Sequence, residues 1–283
     1  DQRVLDGDLI AFSHNSGEVV SARKDGLLHL SSSTTGTSVV TNQSLTQITV
    51  SPDGKLIATL GDDGVAQVWN ASTSKRMISV PAAVGAKLKF TQNSGALIYG
   101  VNSDHTLQTL DLNSKQLDRF KTLRDERMDV ALSPEGSRVI VSRRDVNRIT
   151  ICGFPGSSEQ ISIPVSGGPV LGAIFSPTEK QVASRHLDGT IAIWDLSRAS
   201  QVGRFSAHDG AVESVSYDRT GKYLASAGGV DDTVKLWSIQ NRQPGIPFMT
   251  LKGHTDRVTA VAFDPKSFRV VSASLDGTLR LWD

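Results

Sequence analysis

The chain is most readily defined by what it lacks. Its single cysteine, Cys152, leaves no disulfide available within the 283 residues. A reducing, intracellular setting is therefore expected, cytoplasmic rather than nuclear. Charge of one sign is also missing: 30 Lys and Arg stand against 29 Asp and Glu, a net charge of +1. A nucleic-acid module normally carries a basic stripe, so nucleic acid is not the expected partner. No apolar run approaches the ~18 residues of a membrane span, and no signal peptide opens the chain. The six His residues show no metal-ligand spacing, and Cys152 has no second Cys to pair with. P-loop, HExxH and dinucleotide fingerprints are absent, so neither a metal nor a cofactor is expected. Asn42-Gln43-Ser44 and Asn70-Ala71-Ser72 fit the glycosylation pattern. In a cytosolic chain they are chance matches.

What is present is repetition. Four-residue turn signals occur at 14–17, 51–54, 92–95, 133–136, 176–179, 218–221 and 264–267. The step between their last residues runs from 37 (Gly17 to Gly54) to 46 (Gly221 to Ser267). A period near 40 residues outranks any single motif in setting the fold. A unit that small cannot bury its own core and must stack on its neighbours. Around each turn lie short β-rich runs. In the last unit these are Val258–Phe263, then the DPKS turn, then Phe268–Ala273, then Asp276-Gly277, then the alternating TLRLWD at 278–283. Short strands joined by tight turns read as an antiparallel meander. A further strand follows each of the first six units, at Ser38–Thr41, Lys75–Val80, Gln116–Lys121, Glu159–Ile163, Gln201–Phe205 and Phe248–Leu251.

Trp194-Asp195 and Trp282-Asp283, the variants Trp69-Asn70 and Trp237-Ser238, and Gly253-His254 with the weaker Ala207-His208 together resemble the WD-repeat family. Units one, three and four carry Ser31, Leu110 and Cys152 in the Trp slot. The resemblance implies an all-β, seven-bladed β-propeller with four-stranded antiparallel blades. Its blades would run roughly 8–41, 45–80, 85–121, 127–165, 170–206, 211–251 and 257–283 plus 1–5, in a single domain spanning 1–283. Unit seven stops after three strands, and Gln2–Leu5 reads as a stray fourth strand. Pairing of that strand with the last blade is expected to close the ring and remove a free edge.

His208, Ser226, Asp231 and Trp237 in unit six recur as His254, Ser272, Asp276 and Trp282 in unit seven. Each set contains a nucleophile, a base and an orienter. An enzyme rarely needs two copies of its nucleophile, and the resemblance implies a structural tetrad instead. A buried indole N–H is donor-only and must be paired, and Ser, His and Asp can carry that pairing outward. Unit five retains Ser184, Asp188 and Trp194 with Ser166 in the His slot. Unit two retains Thr59, Asp63 and Trp69 with Thr41 in that slot. Asp145 of unit four falls one residue out of register. Blades six and seven are therefore expected to be the stiffest.

The clearest inner-strand carboxylates, Asp129 and Glu213, are offset by one residue and should not form a convergent acid pair. A basic stretch between 119 and 148 holds Arg124, Arg127, Arg143 and Arg144, with Arg185 in the next unit. The connection entering a blade and the turn between its second and third strands share one face. These five residues are the candidate partner-binding set, suited by their forked guanidinium groups to carboxylates or phosphates. The resulting expectation is a non-catalytic protein–protein interaction scaffold whose partner is another protein or peptide, with an acidic segment as the fitting class. No catalytic, cofactor or metal residues are assigned. Two alternatives stand beside it. The chain opens on Asp1 rather than Met and ends at a repeat boundary, which fits a sensor or autoinhibitory propeller of a larger NTPase, kinase or protease. A propeller hydrolase would need polar residues converging on the channel, which the inner strands lack.

Overall fold

The structure is a computed structural model. It describes residues 4–6, 9–12, 19–22, 27–31, 37–40, 44–82, 88–91, 94–101, 106–121, 128–134, 137–143, 147–153, 160–240, 245–264 and 266–283. Every described element is a strand. β1 is Val4–Asp6. One sheet runs β2 (Leu9–Phe12), β3 (Val19–Ala22), β4 (Leu27–Ser31) and β5 (Thr37–Val40). The next has β6 (Leu45–Val50), β7 (Leu56–Gly61), β8 (Val65–Asn70) and β9 (Arg76–Pro81). Then come β10 (Lys89–Phe90), β11 (Ala96–Val101), β12 (Thr106–Asp111) and β13 (Leu117–Lys121). β14 (Met128–Leu132), β15 (Arg138–Arg143), β16 (Arg148–Gly153) and β17 (Gln160–Pro164) follow. β18 (Val170–Phe175), β19 (Gln181–His186), β20 (Thr190–Asp195) and β21 (Ser200–Ser206) make another sheet. So do β22 (Val212–Tyr217), β23 (Tyr223–Gly228), β24 (Val234–Ser238) and β25 (Met249–Leu251). β26 (Val258–Phe263), β27 (Val270–Ser274) and β28 (Thr278–Trp282) end the chain. Each sheet is four strands in chain order, except that the last runs β1-β28-β27-β26.

The expectation of a seven-bladed propeller of four-stranded blades is corrected to six full blades. Six sheets are self-contained blades of four consecutive strands; the last has only three strands of its own repeat, and a three-residue strand from the other end of the chain stands beside β28. The chain also divides into two compact units. One comprises Asp1–Val4 with Arg127–Asp283, the other Leu5–Glu126. The physical reason lies in the repeat: unit seven ends at its third strand, so its sheet cannot equal the others.

The turns between first and second strands explain the recurring signal. In five of the described turns a small polar residue at or just before the turn accepts the backbone N–H that opens the next strand. Ser51 Oγ takes Leu56 N (2.9 Å), Thr91 Oγ1 takes Ala96 N (3.0 Å), and Ser133 Oγ takes Arg138 N (3.2 Å). Ser176 Oγ takes Gln181 N (3.2 Å), and Asp218 Oδ1 takes Tyr223 N (2.8 Å). Satisfying these donors costs no extra residues, because Ser, Thr and Asp side chains reach backbone two to five residues away. Gly54 and Gly221 end their turns at φ of 75° and 69°, where glycine is unstrained. Glu179 takes the same place at φ 54°, and its carboxylate grips Arg138 of the preceding sheet at 2.6 Å.

Strand parity places the core. On β20, Ala192 and Trp194 face the sheet before, packing with Ile140, Ile149, Ile151 and Ile163. Ile191 and Ile193 face the sheet after, packing with Phe205, Val215, Leu224 and Trp237. Alternate residues point to opposite faces, so a central strand buried on both sides must be apolar throughout. TIAIWD meets that demand. In the other unit, Ala58, Val68, Leu97 and Leu110 fill the space between β6–β9 and β10–β13. Because Ile140 is completely buried, Ile140→Ala should destabilise its unit by about 2–5 kcal/mol. Met77→Ala, at an exposed position on β9, should stay within roughly 0.5 kcal/mol. Denaturant melts of the two variants check the contrast.

Candidate functional site

The two Ser-His-Asp sets are brought together as hydrogen-bonded chains. Trp237 Nε1 donates to Ser226 Oγ at 2.8 Å. Ser226 Oγ meets His208 Nε2 at 2.7 Å, and His208 Nδ1 donates to Asp231 at 2.8 Å. The next sheet repeats this. Trp282 Nε1 to Ser272 Oγ is 2.9 Å, Ser272 Oγ to His254 Nε2 is 2.7 Å, and His254 Nδ1 to Asp276 Oδ2 is 2.8 Å. Direction follows from the donor-only indole: the indole N–H occupies one serine lone pair, so the serine O–H points at His Nε2 and the imidazole N–H at the carboxylate. Ser226 and Ser272 are 0% exposed. Neither hydroxyl can meet a substrate without dismantling the core, so the arrangement is architectural.

Each terminal carboxylate is held ionised. Burial opposes the charge on Asp231, but hydrogen bonds from His208 and Lys235 outweigh it and keep the carboxyl below the ordinary range. Lys235 Nζ also donates to Ala207 O at 2.8 Å. Burial likewise opposes charge on Asp276, and bonds from Thr278, His254 and the Thr255 N–H overcome it. Gly228 makes the first set fit, because a Cβ there would meet Asp231 Oδ1 and His208 Nδ1.

The remaining sheets solve the indole problem differently. Trp194 Nε1 donates to Ser184 Oγ at 2.8 Å, and Ser184 Oγ meets His186 Nε2 at 2.9 Å. His186 Nδ1 donates to Gly168 O at 3.1 Å. Thus a histidine two residues after the serine, on the same strand face, fills the slot assigned to Ser166. Repeat spacing passes over it because it enters from β19 rather than from the loop before β18. Asp188 is released to bind Arg204 (2.8 Å). In the β6–β9 sheet, Trp69 Nε1 ends on Thr59 Oγ1 at 3.0 Å. In β10–β13, where no Trp is present, Tyr99 OH donates to Gln108 Oε1 at 3.0 Å. Asp145 lies outside the described residues.

The acidic and basic candidates fall into pairs. Arg185 Nη2 meets Asp129 Oδ2 at 3.0 Å, and its Nη1 donates to Val212 O at 3.3 Å. The pair links three successive sheets, and Gly172 leaves it room, since a Cβ there would strike both side chains. Arg185 is therefore committed within the fold and is not a free docking group. Glu213 is gripped by Arg257, whose Nε lies 3.2 Å from Oε1. The two inner-strand acids are separately neutralised and form no acid pair. Arg124, Arg127 and Arg144 lie outside the described residues; Arg143 ends β15 opposite Met128, its side chain also outside them. Among the described residues no cluster of three or more His, Cys, Asp or Glu could hold a metal ion. No described helix is long and apolar enough to cross a membrane.

Comparison with known proteins agrees with this geometry. The family described as "WD domain, G-beta repeat" matches residues 33–70, 199–238 and 245–283. The last two contain the complete tetrads. Three stretches of the chain thus match the WD-repeat family. It is similar to Periodic tryptophan protein 2 of Arabidopsis thaliana, 26% identical over 244 residues, covering 81% of this chain and 27% of that protein. It is also similar to the guanine nucleotide-binding protein subunit beta of Zea mays, 27% identical over 239 residues, covering 82% and 53%. Human Striatin-4 is 30% identical over 128 residues, covering 38% and 17%. The chain thus spans between about a sixth and a half of these relatives. A chain in the crystal structure of the Mitotic Checkpoint Complex superimposes with a TM-score of 0.84 over 99% of this chain and 93% of that one. At 18% identity this shows the fold alone, an all-β propeller.

The WD tetrads generate two tests. Trp237→Ala should cost about 3–5 kcal/mol through lost packing, and His208→Ala about 1–3 kcal/mol by leaving Ser226 and Asp231 unpaired. Calorimetry on both variants checks the order. The second test is pH. Burial, the largest influence, lowers the His186 pKa from its usual 6.5, so the unfolded chain binds that proton first and stability falls as pH drops below about 6.5. His186→Gln should flatten that slope. A further loss should follow below about pH 4, as the unfolded counterparts of Asp231 and Asp276 take up protons that the native carboxylates resist.

Proposed function

We propose that the chain is a non-catalytic platform for protein–protein contact. One observation carries the reading. Leu187, Val230 and Leu275 occupy corresponding turns between the second and third strands of three successive sheets, and all three apolar side chains are exposed. Arg257 at the same end is held by Glu213 and is not counted among them. Rigid strands that present adaptable loops suit recognition, and affinity concentrates in a few apolar and arginine anchors. A hydrolase would need an accessible nucleophile, whereas Ser226 and Ser272 are fully buried and hydrogen-bonded.

The partner is another protein or peptide. The basic stretch between 119 and 148 adds an acidic segment as its fitting chemistry, with Arg143 and Arg144 as the residues to test. A second reading makes the chain a sensor or autoinhibitory propeller of a larger NTPase, kinase or protease; the chain spans 27% of Periodic tryptophan protein 2 and 53% of the Zea mays beta subunit, so these relatives are longer. A chain with a single cysteine, Cys152, suits the intracellular location that belongs to the same proposal.

The test begins with the full-length protein and the partner that co-purifies with it. Leu187→Asp with Leu275→Asp should weaken binding by roughly tenfold or more while melting stays near wild type. Arg143→Glu with Arg144→Glu should slow association most at low salt. Wild-type affinity in both variants, or a covalent adduct of a serine-directed probe on Ser226 or Ser272, would overturn the proposal.

A further inference from the structure

The opposite end of the same unit holds a different kind of surface. In an antiparallel meander, the turn between first and second strands and the connection between third and fourth lie at one end. At that end Tyr223 opens β23, Phe248 precedes β25, and Phe268 sits in the turn between β26 and β27. Tyr223 meets Phe268 edge-on at 5.0 Å and Phe248 at 5.6 Å, and Phe248 and Phe268 are 6.4 Å apart. Phe263 supports Phe268 from the core at 5.4 Å. The inner side of this group is anchored, but its outer side is not covered. Phe248 is 47% exposed, Phe268 48% and nearby Ile246 87%. Single exposed apolar residues are ordinary, whereas a contiguous group held in fixed geometry marks a contact surface.

Charge around the ledge has one dominant sign. The two turns contribute exposed Arg219, Lys222 and Lys266. Their acids are withdrawn: Asp218 and Asp264 are buried and used to hold turn backbone. Arg269 pairs with Asp264 at 2.7 Å and approaches Asp283 at 4.0 Å, which places one exposed acid at the margin. An aromatic ledge inside a basic rim selects an apolar anchor flanked by carboxylates. We propose that this ledge, between the β22–β25 and β26–β28 sheets, is a second docking site. Its occupant is an acidic segment of a partner protein carrying an aromatic or long aliphatic anchor. The proposal rests on the platform reading but assigns a separate surface. A nucleic-acid strand fits less well, because the rings meet edge to face and Ile246 offers a phosphate nothing.

The test uses the whole chain and three labelled peptides of equal length. One surrounds a central Trp-Leu pair with Asp and Glu, one replaces the acids by Lys, and one replaces Trp-Leu by Ser. An oligothymidylate is the fourth probe. Only the acidic, anchored peptide should bind, shifting backbone amide NMR signals around Phe248 and Phe268. Phe248→Ser with Phe268→Ser should weaken it by about tenfold or more. Lys222→Glu with Lys266→Glu, exposed positions that leave the fold intact, should weaken it and reduce its salt dependence. Arg143→Glu with Arg144→Glu should bind the peptide as wild type does. No binding, equal binding of all peptides, preference for the oligonucleotide, or wild-type affinity in the ledge variants would overturn the ledge. Loss of affinity only in the Arg143 and Arg144 variant would keep the platform reading while removing this site.

Discussion

Everything in this molecule depends on one constraint: a four-stranded sheet of about forty residues has two apolar faces and no layer of its own to cover either. Stacking on the next sheet is the solution, and it dictates the composition of the middle strands. On β20 alternate residues serve two different cores, Trp194 packing with isoleucines of the preceding sheet and Ile193 with residues of the following one. Outer strands are released from this demand, so β21 and β9 carry mostly exposed residues. Repetition of the unit is a consequence of the packing, since each sheet must offer its neighbour the surface it needs itself.

Polar chemistry is then confined to places where packing would leave a donor stranded. A tryptophan large enough to fill the space between sheets brings an N–H that water cannot reach. The indole–Ser–His–Asp chain carries that hydrogen-bonding debt to the surface, where the carboxylate also fastens the loop before the first strand. The same economy governs charge. Asp129 is matched by Arg185, Glu213 by Arg257, and Glu179 by Arg138, each pair joining one sheet to the next. Groups that look functional in a linear reading are thereby consumed by architecture. Among the described residues, exposed Leu187 and Leu275 lie in turns at one end and Phe248 and Phe268 at the other, where recognition is proposed.

Much of this was legible in the sequence. Turn residues fall at one position per unit because that position must accept a backbone N–H, and the strands expected around them lie within one or two residues of those observed. Gln201–Phe205 became Ser200–Ser206, and Phe248–Leu251 became Met249–Leu251. The tetrad residues were legible because the family's motifs recur twice at one register. Four features were not. His186 reaches its serine from a neighbouring place on the same strand, and a rule that looks for His before the first strand passes over it. Arg185 reads as a free cation until Asp129, 56 residues earlier, is seen beside it. A seventh four-stranded blade failed as an expectation because the last repeat supplies only three strands, and the strand beside β28 is a three-residue piece from the other end of the chain. The aromatic ledge was hidden for the same reason as Arg185: its rings come from positions 223, 248 and 268, and linear spacing does not announce that they meet.

The central claim is that the buried hydrogen-bond chains fix the frame on which the loops are displayed. Hydrogen exchange of the four indole N–H groups, followed by NMR under native conditions, tests it directly. Trp237 and Trp282, backed by His and Asp, should exchange only through global unfolding, with Trp194 close behind. Trp69, whose bond ends at Thr59, should exchange faster through local opening. Exchange of Trp237 and Trp282 as fast as that of Trp69 would contradict the account.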